Sequence, residues 1–146
     1  IKGGAEGIAA AEKGETAVAG GGAPTVLTAQ TLADRVSKER DKDVNEIPLR
    51  YQGRAFTLSG RVKSVNRDGE SYNVIFDIIA PEAKAVRLPG DSQFKTDIVC
   101  VLAKGQSVYA LTLKPKANVT LTGTYLNYRE HPMPSVMWLS ECRPAQ

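Results

Sequence analysis

Little in this sequence supports a metal centre, a membrane helix or a nucleotide-binding loop. Its 146 residues include two cysteines and one histidine, too few for a His/Cys zinc site or a disulfide-dense scaffold. No apolar run approaches the roughly 18 residues that a membrane-spanning helix needs. The chain also has no P-loop, no GxGxxG motif and no block of like charge. With 42% apolar and 24% charged residues, it has the composition of one globular domain.

Catalytic chemistry is not favoured either. The acidic residues are scattered along the chain, and no two are placed by spacing for acid–base work. His131 cannot be matched to a serine or cysteine nucleophile. We therefore expect no enzymatic activity, no metal and no cofactor.

Charge is uneven along the chain. Residues 1–27 and 28–49 each carry a net charge of −1, whereas residues 50–146 hold thirteen bases against eight acids. A basic C-terminal part is compatible with a polyanionic partner, although many ordinary domains carry as much charge.

The first 27 residues differ from the rest in composition. Seven of the thirteen glycines and seven alanines lie within residues 1–24, which cannot bury enough surface to offset their ordering entropy. One interpretation is a flexible linker. The other is an arm that packs on a neighbouring chain, with Ile8 and Val18 as apolar anchors. We divide the chain into this arm, 1–27, and a domain, 28–146.

The domain begins with one helix and continues with strands. Thr28 is a suitable N-cap, and Leu32, Ala33 and Val36 form an apolar stripe; the helix ends near residues 41–43. Beyond Tyr51 the apolar period becomes two, which predicts strands at 54–65, 71–79, 97–102, 117–126 and 135–142. A short helix or turn is predicted at 105–112.

Two of these strands share a pattern with a central glycine. Residues 56–62 and 119–125 both read apolar-Thr-Leu-hydroxyl-Gly, with Gly60 and Gly123 in the middle of alternating segments. Such glycines indicate bulges or bends, which a small closed sheet requires. The sequence therefore predicts a mainly β (α+β) domain: a helix followed by a five-stranded OB-fold barrel.

Residues 28–144 resemble the tRNA-anti-like family of bacterial OB-fold domains. The resemblance rests on the polar helix, on the strand that carries Cys100 and on five short motifs: residues 51–54, 58–62, 104–105, 119–123 and 139–142. The family name records a likeness to anticodon-binding domains and does not establish tRNA binding. The resemblance implies a location in the cell envelope or the extracellular space.

Cys100 and Cys142 fall in the third and fifth predicted strands, which are neighbours in an OB barrel. A disulfide between them is therefore plausible from topology, and it would suit an envelope protein. The alternative is a pair of buried free thiols.

The candidate binding face has six residues. Arg61 and Lys63 lie on outward positions of the first strand, Arg67 lies in the turn after it, Tyr128 and His131 lie in the connection between the last two strands, and Trp138 lies in the fifth strand. Single-stranded nucleic acid needs a basic groove and aromatic platforms, and Phe56, Tyr72 and Phe76 share faces with core aliphatics. We therefore expect a non-catalytic interaction module of the envelope or extracellular space, a subunit of a larger assembly held through its arm. The alternative is an OB-fold protein that binds single-stranded nucleic acid.

Overall fold

The computed structural model of the protein describes residues 23–80, 92, 94–130 and 134–145. A short strand and two helices come first: β1 (Thr25–Thr28), α1 (Ala29–Lys42) and α2 (Glu46–Tyr51). The remaining elements are β2 (Ala55–Asp68), β3 (Ser71–Phe76), β4 (Thr96–Leu102), α3 (Ser107–Thr112), β5 (Asn118–Arg129) and β6 (Ser135–Pro144). The predicted arm anchors Ile8 and Val18 lie outside the described residues.

Helix α1 forms where the sequence predicts it. The Thr28 side-chain oxygen accepts a hydrogen bond from the Thr31 N–H at 3.0 Å, which satisfies one of the unpaired donors of the first turn. Leu32, Ala33 and Val36 are buried, and the helix packs mainly against β4, with smaller contacts to β1 and β2.

Strands β2 to β6 form a closed barrel. The hydrogen-bonded order is β2-β3-β4-β6-β5, and β5 pairs again with β2. The β4–β6 pair is parallel, the other barrel pairs are antiparallel, and α3 lies between β4 and β5 in the chain. This is the OB-fold barrel that the sequence predicts.

Two elements were not expected. Strand β1 pairs in parallel with residues 56–59 of β2, so a sixth strand is built from residues that the sequence assigns mostly to the arm. Helix α2 follows α1 where the sequence predicts only a loop, and it buries Ile47 and Tyr51. Its six residues are too few to show a helical period of their own.

Both predicted glycine positions lie at crowded points of the barrel. A Cβ added to Gly60 would meet the Phe76 ring, and one added to Gly123 would overlap the Cys142 sulfur. The β5–β6 register shifts between Thr122 and Thr124, around Gly123, whereas the shift in β2 falls beyond Gly60, between Val62 and Ser64. The bend is therefore at the glycine in β5 and just after it in β2.

Arg40 ties the end of α1 to the barrel. Its Nη1 donates to the Ser135 Oγ at 2.9 Å, and its Nη2 donates to the Ser92 Oγ at 2.8 Å and to the Phe94 carbonyl at 3.1 Å. The Ser135 hydroxyl also bonds to Thr96. Arg40 is 6% exposed, so this buried guanidinium is satisfied by hydrogen bonds rather than by water.

Candidate functional site

A groove of about 630 Å³ lies on the outer face of the barrel. It is bounded by the turn between β2 and β3 and by the last residues of β5. Nine residues line it: Asp68, Ser71, Asn73, Val101, Leu126, Asn127, Tyr128, Arg129 and Trp138. In OB folds the second and third barrel strands and the adjoining loops carry ligands, and β3 and β4 are those strands here.

Strand pairing brings the polar lining residues together. Asp68 pairs with Ser71, Asn73 with Val101, and Asn127 with Trp138. Directly opposed residues project to the same face of a sheet. Because Val74 and Cys100, the neighbours of Asn73 and Val101, are buried in the barrel, Asn73 and Val101 face outward.

Arg129 and Trp138 form the most specific contact in the groove. The Arg129 guanidinium carbon lies 5.9 Å from the centre of the Trp138 ring, within the range of a cation–π interaction. Leu126, beside them on β5, is 50% exposed. The groove therefore combines the aromatic ring of Trp138 with the exposed aliphatic side chain of Leu126.

The charge of the groove is balanced. Arg129 is opposed by Asp68, and the other polar lining residues are amides and hydroxyls. These groups donate and accept hydrogen bonds without a net charge. Such a lining suits a ligand with amides and hydroxyls better than it suits a polyanion.

Tyr128 contributes to the groove but hides its polar atom. Its hydroxyl is buried and has no hydrogen bond of good geometry among the described residues. Burial raises the pKa of Tyr128, and the nearby Ser135 hydroxyl and Arg40 guanidinium oppose that rise. The phenol therefore stays neutral and faces the Arg40 contacts rather than a ligand.

The predicted binding residues do not all meet at this site. Tyr128 and Trp138 line the groove, whereas Arg61, Lys63 and Arg67 do not. Arg61 lies 3.9 Å from an Asp77 oxygen, and at about 3.3 Å per strand residue it is roughly 20 Å from Asp68. The Arg67 Nε donates to the Gly69 carbonyl at 2.9 Å. His131 lies outside the described residues.

Sequence reasoning missed Asn127 and Arg129 as binding residues. The period-two alternation along β3 and β4 places Asn73 and Val101 outward, but it does not indicate what this face binds. The signal that identifies the remaining residues is positional: they flank the turn and the strand end where OB folds bind ligands.

The two cysteines are buried free thiols. The expected neighbouring strands are confirmed, since β4 and β6 pair and Leu102 opposes Cys142, but the predicted disulfide is not formed in this structure. A hydrogen bond with Cys142 and burial raise the pKa of Cys100. The Cys100 thiol is thus neutral and unreactive as it stands.

Among the described residues, no group of three or more His, Cys, Asp or Glu side chains could hold a metal ion. None of the helices in the same part of the chain has the length and apolar character to cross a membrane.

No family model and no curated protein matches the chain. Among solved structures it is similar to OBody AM3L09 bound to hen egg-white lysozyme, with 15% identity, a TM-score of 0.42 and coverage of 70% of this chain and 91% of that one. It is also similar to OBody AM1L10 bound to hen egg-white lysozyme, with 17% identity, a TM-score of 0.38 and coverage of 70% and 89%. The fold assignment itself rests on the order and pairing of the strands.

Proposed function

We propose that the protein is a non-catalytic binding module that holds an extended segment of a partner protein in the groove of its OB barrel. The balanced polar lining carries this proposal. Asn73 and Asn127 offer amide donors and acceptors to a peptide backbone, while Trp138 and Leu126 offer apolar contact to its side chains.

A single-stranded nucleic acid is the second candidate, and one observation favours it. Trp138 with Arg129 above its ring has the form of a stacking platform with a cation, which single-strand binders use. Against it, Arg61 and Lys63 do not line the groove, so the basic track that a phosphate backbone needs is missing from the groove lining.

The proposal includes a location in the cell envelope or the extracellular space. It draws support from Cys100 and Cys142, which lie on paired strands and would be joined in an oxidising compartment.

Membership of the tRNA-anti-like family and assembly through Ile8 and Val18 belong to the same proposal. Sedimentation of the full chain and of a chain without residues 1–27 tests the assembly.

The groove can be tested directly because Trp138 is the single tryptophan of the chain. Its fluorescence reports on the groove while probes are added at physiological salt: peptides selected from a random display library against the protein, a twenty-nucleotide oligothymidine, and a neutral hexasaccharide. We expect saturable changes with selected peptides and none with the other two.

Matched variants distinguish the two candidates. Arg129→Ala and Asn127→Ala should weaken peptide binding about tenfold or more, whereas Arg61→Ala and Lys63→Ala should leave it unchanged. Micromolar oligothymidine binding that weakens in Arg61→Ala and depends steeply on salt would establish the nucleic-acid alternative instead. Saturation by the hexasaccharide alone would contradict both.

A further inference from the structure

Helix α3 exposes two large apolar side chains that do not line the groove. Val108 is 75% exposed and Leu111 is 73% exposed. They are three residues apart, so they lie side by side on one helix face. On the opposite face Ala110 is buried, and Tyr109 packs against the core. The helix is therefore held by one face and presents the other to solvent.

Three lysines flank this helix. Lys104 precedes it, and Lys114 and Lys116 follow it; all three are exposed. No acidic residue occurs from 98 to 129 in the sequence. Within the described part of the chain these lysines make no ion pair, so their charge is not cancelled locally.

Main-chain hydrogen bonds hold the turn that carries Lys116 against β2. The Lys116 N–H donates to the Val62 carbonyl at 2.7 Å, and the Val62 N–H donates to the Ala117 carbonyl at 2.8 Å. Lys116 has a φ of 74°, a conformation that favours glycine. The turn therefore has a lysine at a position where the backbone conformation favours glycine.

Two acidic residues on the neighbouring strands, Glu141 and Asp77, are already in ion pairs. The Ala103 N–H donates to the Cys142 carbonyl, which brings the start of the loop beside Glu141, and Glu141 lies 4.0 Å from Arg143. Near Lys63 and Val62, Asp77 faces Arg61. Among the described residues, the net charge around α3 is thus positive.

We propose that the α3 face, composed of Val108, Leu111, Lys104, Lys114 and Lys116, docks on the surface of an anionic lipid bilayer. Val108 and Leu111 enter the boundary between headgroups and acyl chains, and the lysines contact lipid phosphates. This combination of protruding apolar side chains and surrounding lysines is the pattern of a surface-bound amphipathic segment. Charge complementarity selects anionic lipid over a neutral bilayer.

Two apolar side chains and three charges make a weak, reversible attachment. Vesicle flotation measures it with the full chain and two compositions, phosphatidylcholine alone and phosphatidylcholine with 30% phosphatidylglycerol. We expect flotation with the anionic vesicles only. Partitioning should fall roughly fivefold for each lysine changed to glutamine, and about tenfold or more in Leu111→Asp.

Leu49 provides a matched control, because it is 79% exposed on α2 between Glu46 and Arg50 rather than among lysines. Leu49→Asp should float as the unchanged protein does, and circular dichroism checks that each variant is folded. Equal flotation with neutral vesicles, an equal loss in Leu49→Asp, or no flotation would each overturn the proposal. So would a dimer in sedimentation that Leu111→Asp dissociates, since a second copy would then cover the face.

Discussion

Gly60 lies so close to the ring of Phe76 that a Cβ on residue 60 would stand 2.7 Å from the Phe76 Cδ1 atom. It would also lie 3.2 Å from the Cβ of Ala29, the first residue of α1. The absence of a side chain at this position therefore lets the helix and two strands of the barrel meet.

Gly60→Ala should lower the free energy of unfolding by about 1–3 kcal/mol, the usual cost of adding a methyl group to a filled core. Phe76 is fully buried, so its ring cannot move into solvent to relieve the contact. Urea denaturation measures the loss. Phe76→Leu in the same chain should recover part of it, and strictly additive losses in the double variant would contradict the proposed contact.

The barrel was predictable because its strands carry a regular alternation and its crowded points are marked by glycine. Gly60 and Gly123 signal close contacts through their own lack of a side chain, so a single sequence reveals them. Strand β1 and the groove have no comparable sequence signal. Strand β1 has only four residues. Asn127 becomes a lining residue only because β6 places Trp138 opposite it. The pairing partner, not the local sequence, determines these features.

Arg40 should be a large contributor to stability. Arg40→Met keeps most of the aliphatic length but removes the hydrogen bonds to Ser92, Ser135 and the Phe94 carbonyl. Because three hydrogen bonds to a buried guanidinium are lost, at about 1 kcal/mol each, we expect a loss of about 2–4 kcal/mol in urea denaturation. Lys42→Met, on the exposed end of α1, should change the free energy by less than about 0.5 kcal/mol. Similar losses in the two variants would show that Arg40 acts through charge or helix propensity alone.

The Tyr51 hydroxyl predicts a loss of stability in alkali. This hydroxyl donates a hydrogen bond to the Glu39 carboxylate, and burial together with this carboxylate raises the pKa of Tyr51 far above its usual value of 10. The folded state then keeps a proton that the unfolded chain releases. The stabilisation is complete below pH 10 and declines as pH rises above it, by up to about 1.4 kcal/mol per pH unit.

Tyr51→Phe isolates this contribution from the other tyrosines, because Tyr109, Tyr125 and Tyr128, whose pKa values are also raised, remain in both chains. At pH 8 the variant should be less stable than the unchanged protein, because phenylalanine cannot make the hydrogen bond to Glu39. The difference should shrink between pH 10 and 11.5 in urea denaturation. A difference that stays constant across this range would contradict the raised pKa.

Cys100 and Cys142 give the sharpest test of the proposed compartment. They are free thiols here, and an oxidant that accepts two electrons and two protons from them would join strands that already pair. Closing a loop of about 40 residues should then stabilise the folded state by roughly 3–4 kcal/mol. A reductant should remove this gain from the unchanged protein and should have no effect on Cys142→Ala.

The decisive measurement uses protein from its native source, denatured in the presence of an alkylating reagent before any reductant is added. A bridged pair leaves both cysteines unlabelled, and mass spectrometry detects the difference on the intact chain. Burial protects thiols only while the protein is folded, so labelling under denaturing conditions separates a true bridge from two hidden thiols. Two alkylated cysteines in freshly isolated material would contradict the bridge and, with it, the location in the envelope that the bridge supports.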